Sequence, residues 1–70
     1  MKNNFNEKLG IHIKKARLFR NMSQSRLGDI VGVSYQQIQK YESGKDRVSC
    51  ETLHLIEEAL NTCIYEFMSI

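Results

Sequence analysis

Apolar residues recur along this chain at spacings of three and four, and nowhere does a run alternate strictly between apolar and polar. Phe5, Leu9, Ile13 and Ala16 form the first stripe and predict a helix over residues 6–20. Lys8, Lys14, Lys15 and Arg20 occupy mostly other faces of it. Gly10 sits inside this helix, where glycine costs about 1 kcal/mol relative to alanine. It marks either a close packing contact or a frayed first turn.

Asn21 and Met22 break the pattern, and Ser23 then has the character of an N-cap. A second helix follows over residues 24–31, with Leu27, Ile30 and Val31 as its apolar surface. Gly28 lies one turn in, where a missing side chain lets another helix come close. Gly32 suits the left-handed conformation that ends a helix. Ser34 can cap a third helix reaching residue 41 or 42, with Ile38 and Tyr41 on one side. Tyr35, Gln36, Gln39 and Lys40 take the other sides, Gln37 lies nearer the flank, and Ser43 and Gly44 end the helix. After a loop over residues 45–48, Ser49 caps a fourth helix, with Glu51 in its first turn to complement the dipole. Leu53, Ile56 and Leu60, joined by Ala59, form its stripe, and Asn61 can take the left-handed end position. A short fifth helix over residues 64–68 presents Ile64, Phe67 and Met68. The fold class is therefore all-α.

Composition narrows this picture only a little. A chain of 70 residues, with 41% hydrophobic and 26% charged residues, reads as one small globular domain that gains stability by pairing with a second copy. No apolar run is long enough to span a bilayer, and residues 1–8 lack the apolar stretch of a secretory signal, so the expected location is the cytosol. Cys50 and Cys63 are too few and too isolated for a disulfide framework or a zinc site and read as two reduced thiols. The alternative is a disulfide or redox switch, with Cys50 at a helix start, where the dipole can make a thiol reactive. His12 and His54 stand on different helices without a nucleophile or metal-ligand partner near them in sequence. No catalytic residue, metal, cofactor or small-molecule ligand is expected.

Charge is more telling in its distribution than in its sum of +2. All ten Lys and Arg fall in residues 1–49 against four acids, a net of +6, whereas residues 50–70 hold four acids and no base, a net of −4. Such a split implies one face toward a polyanion and another away from it, or else a mixed solvated surface.

The third helix has what a groove-reading helix requires, one face for the core and another for hydrogen-bonding groups. Glutamine amides can bond bidentately to adenine, Lys40 can reach a guanine edge or a phosphate, and Tyr35 can touch a thymine methyl or a phosphate. Gln36 shares a face with Gln39 and with Lys40, at spacings of three and four. The plain alternative is that these glutamines only solvate a surface helix, for which glutamine is well suited. Phosphate contacts are expected at the start of the second helix, from Ser23, Gln24 and Ser25, and from Lys45 and Arg47 beyond the third. Arg17, beside the first stripe, and Glu42, at the end of the third helix, can meet as an ion pair tying those helices together.

Arg17, Met22-Ser23-Gln24, Leu27, Val31-Gly32-Val33-Ser34, Ile38, Tyr41-Glu42 and Gly44, followed by Leu53, Ala59-Leu60 and Phe67, together resemble the phage repressor and Cro family, the XRE-type helix-turn-helix proteins. The resemblance covers residues 9–68. It implies a compact five-helix bundle, lambda repressor-like, whose helix-turn-helix is formed by helices 2 and 3. It places Gln24, Ser34, Tyr35, Gln36, Gln39 and Lys40 at DNA-facing positions and implies the Arg17 to Glu42 pair. Gly28 departs from the family's usual alanine, Val48 from a proline and Asn61 from a frequent glycine.

The expected function is that of a sequence-specific DNA-binding transcriptional regulator, bacterial or phage-encoded and nucleoid-associated when bound. A homodimer would join through Ile64, Tyr65, Met68 and Ile70, insert helix 3 into the major groove of double-stranded DNA at a palindromic operator, and repress by occlusion. Activation through the acidic C-terminal third is the variant of this reading. The alternative is an antitoxin-type or other protein-interaction module in which DNA binding is secondary.

Overall fold

Three serines open three of the helices by the same local device. Ser23, Ser34 and Ser49 are extended residues whose hydroxyls accept from the backbone N–H of Arg26, Gln37 and Thr52, at 3.0, 3.1 and 3.1 Å. They begin α2 (Gln24–Val31), α3 (Tyr35–Ser43) and α4 (Cys50–Leu60). Before these comes α1 (Asn4–Phe19) and after them α5 (Ile64–Met68). The computed structural model describes residues 4–68, and side chains over residues 5–66, with no strand among them.

Helix ends are as locally determined as the starts. Gly32 closes α2 at φ 83° and its N–H donates to the Gly28 carbonyl. Gly44 closes α3 at φ 78°, and Asn61 takes the same left-handed role after α4 at φ 50°. Asn21 adds a fourth left-handed residue, φ 54°, which turns the chain from α1 into Ser23.

The core is drawn from all five helices. Leu9 and Ile13 of α1, Leu27 of α2, Ile38 and Tyr41 of α3, Ile56 and Leu60 of α4, and Ile64 of α5 are all buried. Helix α1 packs on α3, α4 and α5, while α2 packs on α3 and α4. Ala16, Val31, Leu53 and Ala59 border this core, half-buried.

Two expected core residues do not enter it. Phe5 is exposed because the first turn of α1 lies at the margin of the bundle. Ile30 is exposed, the buried positions of α2 being Leu27 and Gly28.

The glycines resolve differently from one another. At Gly10 the packing alternative is the correct one, since a Cβ there would lie 2.4 Å from the Tyr41 carbonyl oxygen and 2.5 Å from that of Glu42. Helix α1 thus crosses the end of α3 backbone against backbone. At Gly28 the neighbour is not another helix but the turn itself, with the Val33 carbonyl oxygen 2.5 Å from a Cβ position.

Candidate nucleic-acid interface

Helix α3 is divided lengthwise. Ile38, Tyr41 and Glu42 face inward and are buried, while Tyr35, Gln36, Gln39 and Lys40 are exposed. A 3.6-residue period makes this division follow from the sequence order alone. Gln36, Gln39, Lys40 and Ser43 line one open polar groove together with Lys45 from the following loop. Tyr35 stands at the first turn, beside Ser34, whose hydroxyl already accepts from the Gln37 N–H. Ser34 retains its hydroxyl proton and a second lone pair for a ligand.

Helix α2 contributes its N-terminus. The backbone N–H groups of Gln24 and Ser25 precede the intrahelical ladder, and Ser25 is exposed. The Ser23 hydroxyl is engaged by Arg26. The Gln24 side chain is not directed outward, because its Nε2 donates to Glu42 Oε1 at 3.0 Å. Lys45 and Arg47 are exposed on the loop after α3.

Beneath the exposed faces lies a buried polar network. Arg17 Nε donates to Glu42 Oε2 at 2.6 Å and Arg17 Nη2 to Glu42 Oε1 at 3.0 Å, a bidentate pairing in which the residues are 6% and 8% exposed. Arg17 Nη1 donates further to the Met22 carbonyl at 2.7 Å, just before the Ser23 cap. One guanidinium therefore joins α1, the approach to α2, and the end of α3. With Gln24 donating as well, the buried carboxylate has three donors, which offsets the cost of taking it out of water.

Several contacts had no signal in the sequence pattern. Arg20 Nε donates to the Leu60 carbonyl at 2.7 Å and Nη2 to that of Asn61 at 3.1 Å, capping the end of α4 from the end of α1. Glu57 Oε2 accepts from the Tyr65 N–H at 2.9 Å, fixing the start of α5. Gln37 Nε2 donates to Asp46 Oδ2 at 3.0 Å.

The expected pairing surface needs one correction. Ile64 is 0% exposed within its own chain, because α5 folds back on α1 and inserts this residue into the core. It cannot also meet a partner. Tyr65 beside it is exposed, the Met68 side chain is not among those described, and Ile70 lies outside the described residues. Phe5, Val48, Leu53 and His54 line an apolar groove with Tyr65. Both cysteines are exposed, and the Cys63 thiol is held above its ordinary range, chiefly by the facing Glu66 carboxylate with Glu57 adding to it.

The helix-turn-helix family model matches residues 13–67. The chain belongs to the XRE-type helix-turn-helix family of DNA-binding transcription regulators. It is 46% identical over 52 residues to an HTH-type transcriptional regulator of Sinorhizobium fredii, y4aM, a match covering 74% of this chain and 36% of the relative. To a transcriptional regulator in the ATPase CF(0) region of Rhodospirillum rubrum it is 39% identical over 61 residues, covering 87% of this chain and 56% of that one. The chain thus spans about a third to a little over half the length of these curated relatives.

Solved structures show the family fold. The clp gene regulator ClgR of Corynebacterium glutamicum superposes with a TM-score of 0.87 at 23% identity, over 93% of this chain and 69% of that one. The restriction-modification controller protein C.AhdI of Aeromonas hydrophila gives 0.84 at 22% identity, over 91% and 97%. In this family setting, the divided α3 and the capped α2 before it are the two helices of the helix-turn-helix. Among the described residues, no helix is long and apolar enough to cross a membrane.

Proposed function

We propose that these 70 residues act as one sequence-specific DNA-binding domain, a homodimeric transcriptional repressor that inserts α3 into the major groove of a palindromic operator. The observation that carries this reading is the division of α3. Its inner side is anchored by Ile38, Tyr41 and Glu42, and its outer side presents four residues with base-reading or phosphate chemistry in a chain of this family. Ser34, Tyr35, Gln36, Gln39 and Lys40 read base edges. The amides of Gln24 and Ser25, with Ser23, receive one phosphate at the start of α2, and Lys45 and Arg47 grip the backbone beyond α3. Gln24 serves through its main chain, since its side chain is turned to Glu42.

The homodimer forms at the α4–α5 end, with Tyr65 and the apolar groove beside it as the contact. Two α3 helices then enter successive grooves about 34–36 Å apart. Repression by occlusion of a promoter is the simplest mechanism for this domain, since it needs no contact beyond the operator, and it acts in the cytoplasm where the chromosome lies.

Selection of bound duplexes from a random pool tests the whole reading. A palindrome with half-sites one helical turn apart is expected; a pool with no enriched sequence would remove sequence-specific recognition. On the selected duplex, Gln36→Ala or Gln39→Ala is expected to cost about 1–3 kcal/mol and to relax preference at particular base pairs. Equal weakening on every sequence would make these residues backbone contacts instead.

Arg47→Ala carries a different signature. It leaves base preference intact and lowers the slope of log affinity against log salt by about one unit. A titration from low to moderate salt with the parent's slope would take Arg47 out of the interface.

A further inference from the structure

Between the reading helix and the fourth helix runs a loop with no proline to stiffen it, and it carries two exposed cations, Lys45 and Arg47, with a carboxylate, Asp46, between them. A free carboxylate in that place is doubly unhelpful to binding a polyanion. It repels phosphate, and it attracts the two cations that phosphate needs. The structure deals with it through Gln37. The Gln37 side chain spans the left-handed turn at Gly44 and donates from Nε2 to Asp46 Oδ2 at 3.0 Å, and both residues are half-buried. The loop backbone is held to the same helix, since the N–H groups of Lys45 and Asp46 converge on the Lys40 carbonyl at 3.0 and 3.4 Å. Lys45 then lines the polar groove beside Gln36, Gln39 and Lys40.

We infer that Gln37 is a positioning residue for DNA binding. By holding Asp46 against α3 it orders residues 45–47 and leaves Lys45 and Arg47 free to face the phosphate backbone, while reading no base itself. This rests on the DNA-binding reading above. It assigns a role to the one glutamine of α3 that lies off the reading face. The chemistry is specific in its direction. An amide NH2 donates to a carboxylate, so exchanging the two groups, carboxylate at 37 and amide at 46, restores the bond at unchanged net charge.

The test compares the parent with Gln37→Glu and with Gln37→Glu/Asp46→Asn on a duplex selected with the parent. The single variant opposes two carboxylates and releases the loop. It is expected to bind about tenfold more weakly and to lose between one and two units of salt slope, as one or both cations leave the phosphates. The double variant is expected to return to within about twofold of the parent, with the parent's slope and base preference. Hydrogen exchange in the free protein gives a reading independent of DNA: the Lys45 and Asp46 amides are expected to exchange faster in the single variant and at the parent's rate in the double. A double variant as weak as the single, a single variant with the parent's affinity and slope, or a loss confined to particular base pairs would each overturn the assignment. Failure of the parent to enrich any duplex would instead overturn the DNA-binding reading, and this role with it.

Discussion

Arg17→Met is expected to remove about 3–5 kcal/mol, a large part of the protein's stability. A 70-residue domain has about 4–10 kcal/mol of stability in total. Removing one member of a buried pair costs about 3–5 kcal/mol, because the other charge stays buried without compensation. Here the stranded group is Glu42, 8% exposed, with Gln24 still donating to it. The Met22 carbonyl loses its donor too, at the approach to the α2 cap. Salt offers no remedy, since a buried pair is little screened.

The decisive comparison is with Arg17→Met/Glu42→Gln. This double variant removes both charges and keeps at position 42 an oxygen that Gln24 can donate to. It is expected to recover much of the loss, so that the two single effects fall well short of additivity in a urea-unfolding cycle. Strictly additive losses would show that Arg17 and Glu42 act independently, whatever their 2.6 Å separation.

Gly10→Ala is the second large effect, and its direction runs against helix propensity. On an exposed helix the change would add about 1 kcal/mol of stability. At this position the new methyl group would sit 2.4 and 2.5 Å from two carbonyl oxygens of α3, which are main-chain atoms and cannot swing aside. The helices must part. Arg17 lies two turns along the same face of α1, so separation at Gly10 also stretches the pair with Glu42. A net loss of about 2–3 kcal/mol is expected, seen as a fall of about 10–20 °C in thermal midpoint. A midpoint at or above the parent's would mean that the crossing is wider than described.

The parts of this fold that were legible are those settled within a few residues of chain. Ser23, Ser34 and Ser49 opened helices because a hydroxyl at an extended residue needs only the amide three places on. Gly32, Gly44 and Asn61 closed them because the left-handed conformation is a property of the residue itself. Ile38 and Tyr41 fell on the buried side of α3 because helical periodicity separates them from Gln36 and Gln39.

What was not legible depends on where distant chain arrives. Arg20 looked like one more surface cation, yet it caps a helix forty residues away. Ile64 looked like a sticky surface residue because nothing in its neighbourhood records that α5 folds back on α1. Gln24 and Gln37 had the composition of outward-facing groups, and only the tertiary positions of Glu42 and Asp46 turn them inward or along the loop. Long polar side chains have several reachable partners, so spacing alone does not choose among them.

The lengthwise division of α3 has a further consequence, for how such a protein can change over generations. Gln36, Gln39 and Lys40 are exposed and take no part in the core, so exchanging them costs the fold about 0.5 kcal/mol or less. Ile38, Tyr41 and Glu42, interleaved with them, tolerate almost nothing. On the proposed reading, mutation at the outer positions is therefore filtered by what the helix recognises and hardly at all by whether the chain folds. A lineage built on this scaffold can acquire new targets in single steps, without first accumulating spare stability to survive them.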